Sequence, residues 1–266
     1  MARIAVAATA PFGADVLERL AERHDVALLL TRPDAPRGRG RKVAAPPAKE
    51  VAERLGIPVA QPSRLGPELE LTAPVVVVAA YGLLIPESLL DRGLWLNVHP
   101  SLLPRWRGAA PVERALMAGD VETGVTIHRT TKELDAGPIA AQQAFAIGPD
   151  DDAGIVYATA ARTAAELLEQ VLALPEPVFQ PQPAEGVTYA EKLTAADRDV
   201  DLAQPDEALR RIHALSPHIG ARAVVDGRPL IVWRARLADD GGLELLEVQP
   251  EGRRRMTYGE YVRGLR

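Results

Sequence analysis

The sequence contains no cysteine, and this absence excludes three kinds of chemistry at once. Disulfide bridges, a thiol nucleophile and a zinc site built on thiolates are all ruled out. Long apolar runs are also missing, because the most apolar stretch, residues 73–85, is too short to span a bilayer. The first residues, MARIAVAATA, carry one charge and predict a core strand instead of a signal peptide. We therefore expect a cytoplasmic protein without membrane association.

The overall composition is that of a packed globular protein. Its 266 residues, 47% of them hydrophobic and 25% charged, suffice for one large domain or two modest ones. The net charge of -5 does not indicate a nucleic-acid ligand for the chain as a whole. The charge is uneven, however, because residues 31–42 hold five basic residues against one acid. The basic residues are Arg32, Arg37, Arg39, Arg41 and Lys42.

Short apolar segments alternate with segments of helical periodicity through much of the chain. The spacing predicts strands at 3–9, 25–30, 57–60, 75–80 and 94–99, and helices at 12–23, 46–55 and 110–118. This alternation predicts an α/β fold with a doubly wound, mostly parallel Rossmann-like sheet. In such sheets, binding sites form beyond the carboxyl ends of the strands.

A proline-rich stretch interrupts the pattern after a long predicted helix. Residues 175–183 read PEPVFQPQP, which cannot continue a helix and predicts a stiff, extended linker. We therefore place a first domain at 1–174, the linker at 175–188 and a second domain at 189–266. Short predicted strands separated by Asp-Gly turns indicate that the second domain is small and mostly β.

Residues 96–111, LNVHPSLLPRWRGAAP, carry the clearest chemical signal. Asn97 and His99 are two residues apart on a predicted strand, so their side chains project from the same face. A histidine can take a proton from an attacking amine, and an asparagine N–H can stabilise an oxyanion. A nearby carboxylate such as Asp135 can orient the histidine or raise its pKa. Together they indicate direct acyl transfer to an amine, with neither a metal nor a covalent intermediate.

Each of these three residues taken alone has a simpler interpretation. Asn97 can cap a turn, His99 can be a satisfied polar residue and Asp135 can cap a loop. The three residues together favour a catalytic role, because they occur in one chain with several other motifs. These motifs are RGAAP from Arg107, TGVTIH from Thr123, LDAGPI from Leu134, TRPDAPRGRGRK from Thr31, IPVAQP from Ile57, VVAAYGLLIP from Val77, YAEKL from Tyr189 and LELLEVQPEGRRRM from Leu243.

With these motifs, nearly the whole chain resembles the formyltransferases that use 10-formyltetrahydrofolate. The resemblance implies formyl transfer to the α-amino group of methionine on initiator tRNA, by a monomer that needs no metal. It matches Asn97, His99 and Asp135 to the catalytic residues of the family. It also matches residues that line the folate site and basic residues of a loop that reaches the tRNA acceptor end. The folate residues are Ser101, Leu102, Leu103 and Pro104, and the tRNA residues are Arg37, Arg39, Arg41 and Lys42.

The sequence departs from the family pattern at three places. Residues 8–12, ATAPF, replace the usual GTPxF turn after the first strand. His128 stands where methionine is frequent, and we interpret it as a strand residue, with a side chain that lines the cleft as the less favoured alternative. The second domain, which the resemblance predicts to be OB-like, is shorter than usual because the strands before Gly242 are trimmed. We therefore expect an incomplete barrel and a reduced tRNA surface.

Two other functions remain open at this point. The acceptor can be a small amine, such as an amino-sugar nucleotide or glycinamide ribotide, although such an acceptor requires neither the basic loop nor the second domain. The protein can also be a tRNA-binding module without activity. Binding alone, however, does not require Asn97, His99 and Asp135.

Overall fold

A computed structural model describes residues 1–37 and 42–265 of the chain. The strands are β1 (Arg3–Ala8), β2 (Asp25–Leu30), β3 (Ala35–Arg37), β4 (Lys42–Ala44), β5 (Val59–Ala60), β6 (Val75–Ala79), β7 (Leu94–His99), β8 (Arg107–Gly108), β9 (Glu122–Arg129), β10 (Ile139–Ala146), β11 (Tyr189–Ala190), β12 (Ala221–Val225), β13 (Arg228–Leu237), β14 (Leu243–Pro250) and β15 (Met256–Thr257). The helices are α1 (Pro11–Ala21), α2 (Pro47–Arg54), α3 (Glu87–Leu90), α4 (Pro111–Ala118), α5 (Ala153–Leu172), α6 (Pro205–Leu215) and α7 (Tyr258–Arg263), with a short 3-10 helix at Ala196–Arg198. No helix among the described residues is long and apolar enough to cross a bilayer.

The main sheet has seven strands in the order β10-β9-β7-β6-β1-β2-β5. Strand β1 runs parallel to β2 and β6, and β6 runs parallel to β7, whereas β9 is antiparallel to β7. The chain leaves β1 for β2 on one side and later reaches β6 on the other, so the strand order reverses between β1 and β6. The predicted doubly wound, mostly parallel sheet is therefore confirmed.

The inner strands of this sheet are buried because they carry almost only apolar residues. Residues 76–79 of β6 are all buried, and Trp95 of β7 packs in the same core cluster. Helix α1 approaches the end of β6 closely at Gly13, where a Cβ atom would lie 2.2 Å from the carbonyl oxygen of Ala79. A glycine at this position lets the helix begin directly against the carboxyl end of the sheet.

The described residues cluster into two compact units. The first comprises Met1–Arg107, Gly124–Ala144 and Ala158–Thr188, and the second comprises Gly108–Thr123, Phe145–Tyr157 and Tyr189–Arg266. The second unit holds α4, α6, α7 and an antiparallel sheet of order β12-β13-β14-β15. The predicted small, strand-rich C-terminal region is confirmed, and the antiparallel sheet described in it has four strands, one fewer than the five of an OB fold. The predicted limits of the domains and linker, 1–174, 175–188 and 189–266, stay a prediction.

Candidate active site

Asn97 and His99 lie at the carboxyl end of β7, an inner strand between β6 and β9. Their spacing of two residues places both side chains on one face of the sheet. His99 is only 4% exposed, and Asn97 is partly buried. The strand therefore holds an amide and an imidazole side by side, largely shielded from water.

The antiparallel pairing of β7 with β9 adds a second histidine to this face. In the register of the two strands, Asn97 is paired with His128 and His99 with Thr126. The Asn97 Nδ2 atom lies 3.0 Å from His128 Nε2, and the two histidine rings meet edge to face with centroids 6.4 Å apart. His128 is 1% exposed, so the structure places it inside the cluster and not merely along the strand.

Asp135 completes the cluster from the loop between β9 and β10. Its Oδ1 atom accepts a hydrogen bond from Asn97 Nδ2 at 3.0 Å, and its Oδ2 atom lies 3.6 Å from His99 Nδ1. Its Oδ1 atom also lies 3.7 Å from His128 Nε2. The backbone of Asp135 has a φ of 49°, the left-handed conformation that aspartate tolerates better than most residues. The structure thus brings together the three residues that the sequence predicts to be catalytic.

Both N–H groups of the Asn97 amide already have acceptors in this arrangement. One points to the carboxylate of Asp135 and the other to the ring of His128, each at 3.0 Å. If the Asn97 amide were rotated by 180°, its oxygen would face a carboxylate oxygen. The network therefore fixes the amide nitrogen on the side of Asp135 and His128. The role of Asn97 as an oxyanion donor stays a prediction, and it requires that one of these two bonds opens.

A backbone carbonyl orients the His99 ring on the side opposite to Asp135. Its Nε2 atom lies 2.8 Å from the carbonyl oxygen of Trp106. Since a carbonyl only accepts, Nε2–H donates, and the neutral ring presents its Nδ1 lone pair towards Asp135. Burial lowers the pKa of His99 below its usual value, and the Asp135 carboxylate opposes that shift. His99 is therefore neutral at pH 7 and able to accept a proton.

Trp106 is a site residue that sequence reasoning missed. Its φ of 63° is uncommon for a bulky residue, and it turns the carbonyl towards His99. Its N–H donates to Thr188 Oγ1 at 2.9 Å, and the Arg105 guanidinium stacks 4.4 Å from its ring centroid. The sequence carries no signal for this conformation, because neither tryptophan nor its neighbours favour a positive φ.

The four residues matched to a folate site form a tight turn directly after β7. Ser101 is fully buried and donates its hydroxyl to the carbonyl of Arg105 at 2.7 Å, and Leu103 is 3% exposed. Leu102 and Pro104 are partly exposed, and the Leu103–Pro104 peptide bond is cis. Only Leu102 and Pro104 therefore offer much side-chain surface to a ligand, and all four assignments stay predictions.

A pair of polar residues from β9 and β10 holds this turn in place. The hydroxyl of Thr126 donates to the carbonyl of Ser101 at 2.7 Å and accepts from the N–H of Leu103 at 3.1 Å. Gln142 donates to Thr126 Oγ1 at 2.7 Å and to the Leu103 carbonyl at 3.0 Å. Sequence reasoning missed both residues, although the TGVTIH motif contains Thr126.

The predicted tRNA loop is described only at its two ends. Strands β3 and β4 form an antiparallel hairpin in which Arg37 is paired with Lys42, and Lys42 is exposed. Arg39 and Arg41 lie outside the described residues. These four assignments stay predictions.

Comparison with known proteins assigns this chain to the formyl transferases. The family model described as "Formyl transferase" matches residues 2–172 of the chain. A methionyl-tRNA formyltransferase of Paracoccus denitrificans is 39% identical in an alignment of 291 residues that covers 99% of this chain and 97% of the relative. One of Xanthomonas axonopodis pv. citri is 44% identical over 264 residues, 94% of this chain and 84% of the relative. The chain belongs to the formyl transferase family, and these near-full-length relatives place it in the methionyl-tRNA formyltransferase branch.

A solved structure supports the same fold at lower identity. The methionyl-tRNA formyltransferase from Clostridium thermocellum matches with a TM-score of 0.64 and 14% identity, over 94% of this chain and 99% of that one. This match covers both the main sheet and the strand-rich C-terminal region of the chain. The resemblance inferred from the sequence motifs is confirmed.

Proposed function

We propose that the protein transfers the formyl group of 10-formyltetrahydrofolate to the α-amino group of methionine on initiator tRNA. The near-full-length relatives named above support this acceptor, and the sequence motifs support the folate donor. The observation that carries the proposal is the buried contact of Asn97, His99 and Asp135 at the end of β7. These residues supply an oxyanion donor, a neutral base and the charge that stabilises that base after protonation.

The reaction is an addition to the formyl carbonyl followed by elimination of the folate. The methionyl amine attacks this carbon, a new C–N bond forms, and the carbonyl electrons move onto oxygen. His99 takes the amine proton at Nδ1, directly or through a water molecule, and becomes an imidazolium beside the Asp135 carboxylate. The tetrahedral intermediate then collapses, the bond to N10 of the folate breaks, and the His99 imidazolium returns its proton to N10, directly or through water, as tetrahydrofolate leaves.

Asn97 stabilises the oxyanion in this mechanism by exchanging one hydrogen-bond partner. A bond between neutral groups contributes about 0.5–1.5 kcal/mol, whereas a bond to a charged group contributes about 1.5–3 kcal/mol. The bond to His128 is therefore the one that opens more easily, while the bond to Asp135 keeps the amide in place. The oxyanion replaces a neutral acceptor with a charged one, so the bond strengthens as the transition state forms.

Replacing Asp135 by asparagine is expected to lower kcat by about 10²-fold and to move the acidic limb of the pH profile to lower pH. The carboxylate raises the pKa of His99 against the effect of burial, so its removal lowers that pKa further. Since His99 must be neutral to act as a base, the active form then persists to lower pH. Formylation rates measured from pH 5 to 9 test this sign. An acidic limb that stays in place or moves up contradicts the role given to Asp135.

The basic loop at residues 37–42 is proposed to bind phosphates of the acceptor arm. Replacing Arg37, Arg39, Arg41 and Lys42 together by glutamine is expected to reduce the slope of log Kd against log salt concentration by up to about three. The matched comparison replaces Arg253, Arg254 and Arg255, which lie in the C-terminal unit, and we expect a smaller change. Filter binding of initiator tRNA at several salt concentrations measures both slopes. An unchanged slope in the loop variant means that the loop does not contact phosphates.

The remaining assignments follow from this function. We propose that the turn formed by Ser101, Leu102, Leu103 and Pro104 lines the folate site, that no metal is required, and that the protein acts as a cytoplasmic monomer without membrane association. The alternative acceptor is a small amine such as an amino-sugar nucleotide. Mass spectrometry of the products formed from a mixture of initiator tRNA and small amines distinguishes the two, and we expect only the tRNA to be formylated.

A further inference from the structure

Gln182, inside the segment that the sequence identifies as a proline-rich linker, uses its whole carboxamide in hydrogen bonds. Its Nε2 atom donates to the carbonyls of Asp135 and Gly137, both at 2.8 Å. Its Oε1 atom accepts from Arg107 Nε at 3.1 Å and Nη2 at 2.6 Å. Two N–H groups and two lone pairs are therefore all engaged, which fixes the orientation of the side chain.

The two carbonyls that Gln182 holds belong to the loop that carries the catalytic carboxylate. Asp135 has a positive φ, so its conformation depends on outside support. Gly137 lies so close to β9 that a Cβ atom would come within 1.8 Å of the Arg129 carbonyl oxygen. Gln180 fixes the register of the contact, because its backbone exchanges hydrogen bonds with Ile139 at 2.7 and 2.9 Å.

The other end of this connection is the segment that orients His99. Arg107 directly follows Trp106, whose carbonyl accepts from His99 Nε2 at 2.8 Å. Gln182 thus links the segment whose carbonyl orients His99 to the loop that carries Asp135. This one side chain therefore connects the supports of two residues, His99 and Asp135, whose Nδ1 and Oδ2 atoms are 3.6 Å apart.

We propose that Gln182 is a positioning residue that sets the distance between Asp135 and His99, with Arg107 as its anchor. This inference rests on the proposed roles of these two residues. The hydrogen bonds of Gln182 run to the backbone of the loop and to Arg107, so it acts through the backbone that carries Asp135. Its loss would leave two carbonyls beside a cleft of about 460 Å³, where water can replace the amide without holding the loop in one position.

The test compares Gln182→Glu, Gln182→Ala and Gln180→Ala. The glutamate variant keeps two acceptors for Arg107 but loses both donors to the loop, so it isolates the contact with Asp135 and Gly137. We expect Gln182→Glu and Gln182→Ala each to lower kcat by about 10- to 10²-fold with little change in the folate KM. Gln180→Ala, which removes an exposed side chain and keeps the backbone bonds to Ile139, is expected to match the wild type. Wild-type kcat in Gln182→Glu overturns the proposal.

A titration of His99 followed by NMR gives a readout that a general loss of stability would not move. The groups that face His99 are Asp135, the Trp106 carbonyl and His128. The carboxylate and, to a smaller extent, the carbonyl raise the pKa of the ring, whereas His128 lowers it. We expect His99 to titrate at lower pH in both Gln182 variants and at the wild-type pH in Gln180→Ala. An unchanged titration in the Gln182 variants overturns the proposal. Because this measurement needs no substrate, it stands even if the wild type fails to formylate tRNA, which would refute the proposed function instead.

A double variant shows whether the effect passes through Asp135. In the Asp135→Asn background, Gln182→Ala is expected to lower kcat by less than about twofold, since the residue it positions is already gone. The same fold-loss in both backgrounds means that Gln182 acts elsewhere, and this result also overturns the proposal.

Discussion

Replacing His99 by alanine is expected to lower kcat by about 10²- to 10⁴-fold while the Kd for tRNA stays near the wild-type value. The side chain supplies a neutral ring nitrogen beside a carboxylate at the end of β7. It lies inside the protein and not on the basic loop proposed to bind tRNA. The loss therefore appears in single-turnover formylation rates, measured with saturating folate and tRNA.

His99 is buried, so a second variant separates chemistry from folding. The amide introduced by the variant His99→Gln can still donate an N–H towards the Trp106 carbonyl, but it has no basic nitrogen. We expect a loss of kcat similar to that in the alanine variant, with an unfolding midpoint closer to that of the wild type. His218→Ala, at an exposed position, is the matched control and should retain activity. Near-wild-type rates in both His99 variants would exclude His99 as the base.

Replacing Asn97 by alanine is the second large effect, an expected loss of about 10²- to 10³-fold in kcat. The variant removes the proposed oxyanion donor and also removes an N–H that points to the Asp135 carboxylate. Because these bonds matter most in the transition state, kcat falls more than the folate KM rises. A rise in the folate KM with an unchanged kcat would instead indicate a role in substrate binding.

The sequence offers a direct way to observe this donor, because Asn97 is its single asparagine. Protein labelled with ¹⁵N-asparagine gives one pair of side-chain amide signals, and both protons are hydrogen-bonded in the structure described here. We expect one proton signal to shift when a non-transferable folate analogue with a formyl-like carbonyl binds, and the other to stay in place. If neither signal moves, Asn97 does not contact the formyl oxygen.

Residue spacing predicted the central part of this site well, for a physical reason. Neighbours at i and i+2 share a face in any strand, so Asn97 and His99 require no tertiary information beyond the strand itself. Asp135 is distant in sequence, and only the family resemblance linked it to the pair. The apolar runs of β1 and β6 likewise predicted a buried parallel sheet, and the structure agrees.

The contacts that the sequence did not specify depend on how distant segments meet or on the local backbone conformation. His128 joins the site because β9 pairs antiparallel to β7 in one particular register, which strand propensity does not specify. Trp106 orients His99 through a backbone conformation that its residue type disfavours. Gln182 lies in a segment whose prolines indicate only an extended chain. They do not indicate that this chain lies along the Asp135 loop and binds it.

The proposed function is tested most directly by the fate of methionine on initiator tRNA. The wild-type protein is incubated with 10-formyltetrahydrofolate and methionyl-initiator tRNA, the ester bond is hydrolysed, and the released amino acid is identified by mass spectrometry beside the His99→Ala and Asn97→Ala variants. We predict N-formylmethionine with the wild type and strongly reduced yields at early times with both variants. Unmodified methionine with the wild type, or equal rates in all three proteins, would contradict the central claim.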